Sequence, residues 1–252
     1  MENSIIKKCA DILNNAENVM VLTGAGMSTE SGIPDFRSKD GFYSKKFKGF
    51  DPELVVTLDF FLERPNVFYD FFKEQVASFD IEPTRGHKIL AQWESTGLIR
   101  SLVTQNIDGL HQKAGSKNVV EVHGSTTTAT CYNQNCNAVY NVAELLQMDG
   151  EFWNCSCGNG IIKPDVVLFG EPVNKMPEAM MYAEEADVLL ILGTSLVVYP
   201  VANIPMLNKE KPMIIINYDS TPFDHLSNTI AIHEGIGKTL EKINEALSGF
   251  FL

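Results

Sequence analysis

The chain predicts an α/β fold with a parallel, doubly wound sheet, and three observations carry that reading. Apolar runs of four to six residues, bounded by turn formers, stand at 19–23, 99–104, 119–122, 188–192, 213–217 and 229–232, as strands buried on both faces should. Segments in which apolar residues return every three or four positions separate many of them, giving helices over 4–15, 59–79, 87–95, 201–207 and 236–248. Finally, 252 residues at 44% hydrophobic and 21% charged hold enough apolar material for one sizeable core. Strands alternating with helices make a parallel sheet, because each crossover must return the chain to the same edge.

The opening residues, Met1 to Lys8, set polar and charged groups around Ile5 and Ile6, so neither a secretory apolar region nor a membrane span is drawn there. The C-terminal helix stacks Ile236, Leu240, Ile243 and Leu247 on one side. Five cysteines without an export signal point to reduced thiols or metal ligands in a cytoplasmic protein. The net charge of −12 argues against a nucleic-acid backbone as partner and suits a basic polypeptide better, although an acidic balance also serves solubility alone.

Two stretches break the alternation: the aromatic-rich 41–79 and the cysteine-bearing 125–160. Both interrupt one doubly wound domain, so a small lobe assembled from two separate pieces is expected, with the ligand cleft between lobes.

The first strand runs into Gly24-Ala25-Gly26-Met27-Ser28, a small-residue turn that fits a pyrophosphate at the start of a helix, or a plain structural turn. The third glycine of a dehydrogenase fingerprint falls at Thr29, so that fingerprint is incomplete. Beyond it, Ser31-Gly32-Ile33-Pro34-Asp35-Phe36-Arg37 groups a carboxylate, a ring and a guanidinium. Such a loop either covers a ligand, with Arg37 on phosphate and Phe36 against water, or is tied down by an Asp–Arg pair.

Strand ends carry the remaining polar residues. Thr104-Gln105-Asn106-Ile107-Asp108 offers groups for ribose, water and a carboxamide, and also an Asx turn before a helix near Gly109. His123-Gly124 ends the next strand, which puts an imidazole at the ligand edge as a general base or a structural hydrogen-bonder. His87, His111, His225 and His233 take the structural role. Gly193-Thr194-Ser195, with Asn217 and Asp219, suits a second ribose and adenine, or helix capping. Cys131-x4-Cys136 and Cys155-Ser156-Cys157 form two close pairs whose four thiolates suit a closed, structural tetrahedral zinc, with Cys9 left as a buried thiol.

Taken in order and spacing over nearly the whole chain, these motifs resemble the sirtuins, the bacterial single-domain members above all, and 162–171 is similar to that family's peptide-binding strand. The resemblance implies a Rossmann-like large lobe from 1–38, 81–124 and 161–252, with a helical insertion, 39–80, and a zinc ribbon module, 125–160, as the small lobe. It implies NAD-dependent removal of an acyl group from lysine. The acyl oxygen attacks the anomeric carbon, nicotinamide leaves, an alkylimidate forms, and His123 activates a ribose hydroxyl, releasing lysine and O-acyl-ADP-ribose. Catalytic roles fall to His123 and Asn106. NAD contacts fall to Gly24, Ala25, Gly26, Ser28, Thr29, Asp35, Phe36, Arg37, Gln105, Asn106, Ile107, Asp108, Gly193, Thr194, Ser195, Asn217 and Asp219. Val166, Val167 and Phe169 clasp the acyl-lysine substrate as an added strand.

Two departures from the family pattern stand out. The cysteine spacings are x4 and x1 where the family has x2 twice. Members preferring acidic acyl groups carry Tyr and Arg three apart, and here the matching pair is Tyr69 and Phe72, which favours a neutral acyl group, acetyl first and longer chains against Phe68, Phe71 and Phe72. Alternatives are a protein ADP-ribosyltransferase on the same fold, an NAD-dependent oxidoreductase, and a zinc-ribbon binding module without turnover.

Overall fold

A computed structural model describes residues 2–36, 38–76, 81–147 and 153–248. Among the described residues the strands are β1 (Val19–Thr23), β2 (Ile99–Thr104), β3 (Val119–Glu121), β4 (Gly124–Cys131), β5 (Val139–Asn141), β6 (Ile162–Val166), β7 (Val188–Leu192), β8 (Met213–Ile216) and β9 (Thr229–Ile232). The six anticipated strands form one parallel sheet in the order β3-β2-β1-β7-β8-β9. Two end a residue early, at Glu121 and Ile216, where the chain turns toward the ligand edge.

The period of two along each strand sorts side chains onto opposite faces. Val19, Val21, Val188, Leu190, Leu192, Ile214 and Ile216 pack under helices Glu2–Asn14, Arg85–Ser95 and Ile236–Ser248, whose Leu13, Leu90, Trp93, Leu240 and Ile243 complete that layer. The alternate residues Met20, Leu22, Leu189, Ile191, Met213 and Ile215 face helix Met176–Glu185 and the turn at Val201 and Ile204. Each aliphatic side chain so buried contributes roughly 1.5–3 kcal/mol, and helices on both faces make the sheet doubly wound. Helix Met176–Glu185 escapes periodicity because its buried contacts include the small Ala179 and Ala183, while Met180 and Met181 are exposed.

The stretch 59–79 is not one helix. Pro65 cannot continue the preceding turn, so Leu58–Glu63 and Pro65–Phe71 are separate helices followed by a π turn, Phe72–Val76; residues 77–79 lie outside the described residues. Likewise 201–207 divides into a 3₁₀ turn, Val201–Asn203, and helix Ile204–Leu207.

β4, β5 and β6 form a separate antiparallel sheet, order β5-β4-β6. The segment starting at 161, expected in the large lobe, therefore opens with a strand that pairs in the small sheet. The reason is packing: Ile162 and Val166 share a core with Val55, Phe61, Phe68, Phe72, Val142, Leu145 and Trp153. That core joins the two inserted pieces, and edge-on ring contacts such as Phe61–Phe68 at 5.0 Å hold it. Among the described residues no helix is long and apolar enough to cross a membrane.

Candidate active site

From β1 the chain works outward through β2 to β3, then returns to place β7 on the other side of β1. The C-terminal ends of β1, β2 and β7 thus border the crevice where strand order reverses, the place where open α/β sheets bind ligands. A pocket of about 420 Å³ lies there. Its wall includes Gly24, Ala25, Gly26, Asp35, Phe36, Gln105, Asn106, Ile107, His123, Gly193, Thr194, Ser195, Asn217 and Asp219, together with Val166, Val167 and Phe169. Ser28, Thr29 and Asp108 are not on that wall, and Arg37 lies outside the described residues.

The glycine turn works differently from the sequence reading. The amides of Gly24 and Gly26 donate to the carbonyls of Leu192 and Gly193, and those of Met27 and Ser28 to Gly24 and Ala25, at 2.9–3.0 Å. These four donors are engaged before any phosphate arrives. The helix expected after the turn is replaced by two short 3₁₀ turns, Ala25–Met27 and Thr29–Ser31, ending at Gly32. What the glycines provide is contact between two loops: a Cβ on Gly24 would sit 2.8 Å from the Gly193 oxygen, and one on Gly26 2.8 Å from the Gly193 Cα.

Behind the wall lies a polar relay. Asn106, buried at 6% exposure, donates from Nδ2 to Ser28 Oγ at 3.1 Å, and Ser28 donates to Asp108 Oδ2 at 2.7 Å. Asp108 also accepts the Leu110 amide at 2.9 Å, so the Asx turn exists alongside the relay. Burial raises the Asp108 pKa against the pull of these bonds. The Asn106 amide donates to Thr104 Oγ1 at 3.0 Å, and Gln105 Nε2 donates to Thr194 Oγ1 at 2.9 Å, tying the ends of β2 and β7 together.

His123 sits where the chain leaves the large sheet for the small one, with Gly124 at a φ of 80° starting β4. Its Nδ1 lies 3.0 Å from the Gln105 carbonyl oxygen. A carbonyl only accepts, so Nδ1 carries the proton and Nε2 presents the lone pair. Burial lowers the pKa of this imidazole and so favours the neutral ring, while the Gln105 bond pulls the other way.

The segment expected to clasp a peptide, 166–169, departs from a free strand edge. Val167 N–H donates to the His123 carbonyl at 2.8 Å, while Phe169 bonds Val56 and Leu58 through both its backbone groups at 3.0 Å. The Phe169 backbone is therefore already paired, which leaves its half-exposed ring to meet a ligand. Phe68, Phe71 and Phe72 line the apolar end; Tyr69 does not, since its hydroxyl donates to the Ile162 carbonyl. The reading of single motifs missed Phe42, Tyr43, Tyr199 and Pro200, all on the wall. Phe36 packs on Phe42 and Tyr43 at 5.5 and 5.3 Å, and the aromatic richness after Gly41 was the available signal.

Apart from this pocket, the four cysteine sulfurs lie within 4.8 Å of one another. Cys131–Cys157 and Cys136–Cys155 are 3.8 and 3.6 Å apart. A tetrahedron of sulfurs about 2.3 Å from zinc has edges of about 3.8 Å, so the donor set fits structural zinc despite the x4 and x1 spacings. The Cys157 amide and the Tyr140 hydroxyl, 3.0 Å away, hold the Cys155 pKa down at about 6, favouring the thiolate a metal needs.

Comparisons with known proteins agree with this architecture. A model of the Sir2 family matches residues 24–200. The NAD-dependent protein deacetylase of Clostridium tetani is 41% identical over 244 residues, 96% of this chain and 98% of that one. A Sir2 structure with a deacetylated p53 peptide and 3'-O-acetyl-ADP-ribose superposes at a TM-score of 0.87 with 35% identity, covering 95% of this chain and 97% of that one. A Sir2 protein bound to a propionylated peptide gives 0.85 with 34% identity, covering 98% and 99%. With the crevice, the histidine at its sheet junction and the cysteine cluster in place, the chain belongs to the Sir2 family.

Proposed function

We propose that this protein is an NAD-dependent protein-lysine deacetylase in which His123 is the general base. The observation that carries the reading is the His123–Gln105 hydrogen bond, which holds the Nδ1 proton and so leaves the Nε2 lone pair for proton transfer, on a histidine that lines the pocket with Asn106 and the ends of β1, β2 and β7. NAD supplies the electrophilic ribose carbon and carries the acyl group away. Around it, Gln105, Thr194, Ser195, Asn217 and Asp219 offer polar groups for the riboses and adenine, and Ala25 and Phe36 shape the centre of the pocket. Ser28 and Asp108 act by holding Asn106 in place. His123 takes a proton from a ribose hydroxyl through Nε2, and its Nδ1–H bond steadies the imidazolium that results.

Phe68, Phe71, Phe72 and Ile107 form an apolar tunnel wall that suits a neutral acyl chain and keeps water from the reacting atoms. Val166, Val167 and Phe169 meet the peptide that carries it. The four cysteines hold zinc as a folding element of the small lobe. The partner is an acyl-lysine protein in the cytoplasm, and the charge of −12 favours a basic polypeptide over nucleic acid or an anionic membrane surface.

The deciding experiment incubates an acetyl-lysine peptide with NAD and follows free lysine, nicotinamide and O-acetyl-ADP-ribose by mass spectrometry, for wild type and His123→Ala. Equal yields that vanish in the variant support the reading. Nicotinamide released without free lysine points to ADP-ribosyl transfer instead.

A further inference from the structure

Six consecutive residues, Val166 to Glu171, line the pocket, and they are folded around a charge pair. Lys163 Nζ lies 2.9 Å from Glu171 Oε2, with side-chain exposures of 11% and 18%. The same ammonium donates to the Val166 and Pro164 carbonyls at 2.8 and 3.2 Å, so its three donors are all used. Glu171 Oε2 also accepts the Leu168 amide at 2.8 Å, and the Glu171 amide donates back to the Leu168 carbonyl at 3.0 Å.

The segment is anchored on two sides as well, through Val167 to the carbonyl of His123 and through Phe169 to Val56 and Leu58. The pair thus lies inside a span whose one end is the backbone of the base and whose other end is the helical insertion. Lys163 itself is off the pocket wall. A charge that deep is retained at a desolvation cost, and its bonds here go to the backbone of the substrate-facing segment.

We propose that Lys163 and Glu171 are positioning residues for the acyl-lysine peptide: their ion pair fixes the segment 166–171 against His123, and so sets peptide affinity separately from NAD affinity. This rests on the reading that the segment receives the peptide. A neutral segment of the same length could lie along the cleft, but no side chain would then bind the Val166 carbonyl and the Leu168 amide at once through one pair.

The test uses Lys163→Met, Glu171→Gln and the double variant of the full chain, with KM for an acetyl-lysine peptide, KM for NAD, kcat and Tm measured on each. Lys163→Met should raise the peptide KM about tenfold and leave the NAD KM within about twofold. The double variant should be no worse than the worse single, because the two residues act as one unit. Should Lys163→Met fail to fold around its uncompensated carboxylate, the double variant, which has neither charge, carries the same expectation. An unmoved peptide KM, additive effects, or equal loss toward both substrates in step with Tm would overturn the assignment. Absence of turnover by wild type would instead overturn the deacetylase reading on which it rests.

Discussion

The imidazole of His123 is bound through Nδ1 to the backbone carbonyl of Gln105, the residue that follows β2, at 3.0 Å. The bond links the ends of two adjacent strands and selects the tautomer that a base requires. Replacing His123 with Ala should lower kcat by about 10²–10⁴-fold with little change in peptide affinity, read by steady-state kinetics beside a binding assay.

The pH profile follows from the direction of the His123 shift. Burial moves its pKa below the ordinary 6.5, so the ring is neutral at lower pH than a free histidine. The acid limb of kcat/KM should therefore have its midpoint below 6.5, with most of the base neutral at pH 7. A midpoint above 6.5 would show that the histidine is held as a cation.

Two other histidines set stability. His87 and His111 are buried with ring centroids 4.5 Å apart; burial depresses His87 to about 4 and His111 well below 6.5. A depressed histidine favours the folded state above its unfolded pKa, and that contribution is lost as pH falls toward the folded value. For His87 the loss between pH 6.5 and 4 is about 3 kcal/mol. Urea unfolding at pH 7 and pH 5 should show about 2 kcal/mol of this fall in wild type and a smaller one in His87→Asn.

Ser28 offers a test of the relay behind the pocket. Ser28→Ala strands the Asn106 amide group and one Asp108 oxygen, which costs the fold about 1–2 kcal/mol and so lowers Tm by a few degrees, and by freeing Asn106 it should also lower kcat roughly tenfold. A fall in Tm with unchanged kcat would make Ser28 structural only.

Zinc removal should act on folding. The purified protein is expected to hold about one zinc per chain, and Cys155→Ser or chelation should lose the metal and lower Tm before any effect on residual activity is resolved. Elemental analysis beside calorimetry reads both.

Acyl preference follows from the aromatic end. Tyr69 spends its hydroxyl on Ile162, and the pocket's apolar end is lined by Phe68, Phe71 and Phe72 with no cation beside them among the described residues of that wall, so wild type should process acetyl-lysine about 100-fold faster than succinyl-lysine in kcat/KM. Peptides identical but for the acyl group settle the ratio.

Much of this was legible from local patterns. The strands 19–23, 99–104, 188–192 and 229–232 stand at the boundaries their apolar runs mark, because a strand buried on both faces needs such a run wherever it lies. His123, Gln105 and Asn106 were readable as ligand-edge residues since each lies within two residues of the end of a strand. The split at Pro65 and the small-residue helix Met176–Glu185 were harder: one had its aromatic periodicity continue across a break, the other lacked large apolar residues to mark its face.

The order of elements, the parallel sheet and the polar residues brought to its edge follow from periodicity and chain direction. Tertiary structure decided what happens between distant segments. It put β6 in the small sheet, closed Gly24 and Gly26 against Gly193, and spent the Phe169 backbone on Val56 and Leu58. It also joined Lys163 to Glu171 under the pocket wall. Such contacts depend on how two surfaces pack in three dimensions, and the spacing of residues along one strand or helix carries no record of its partner.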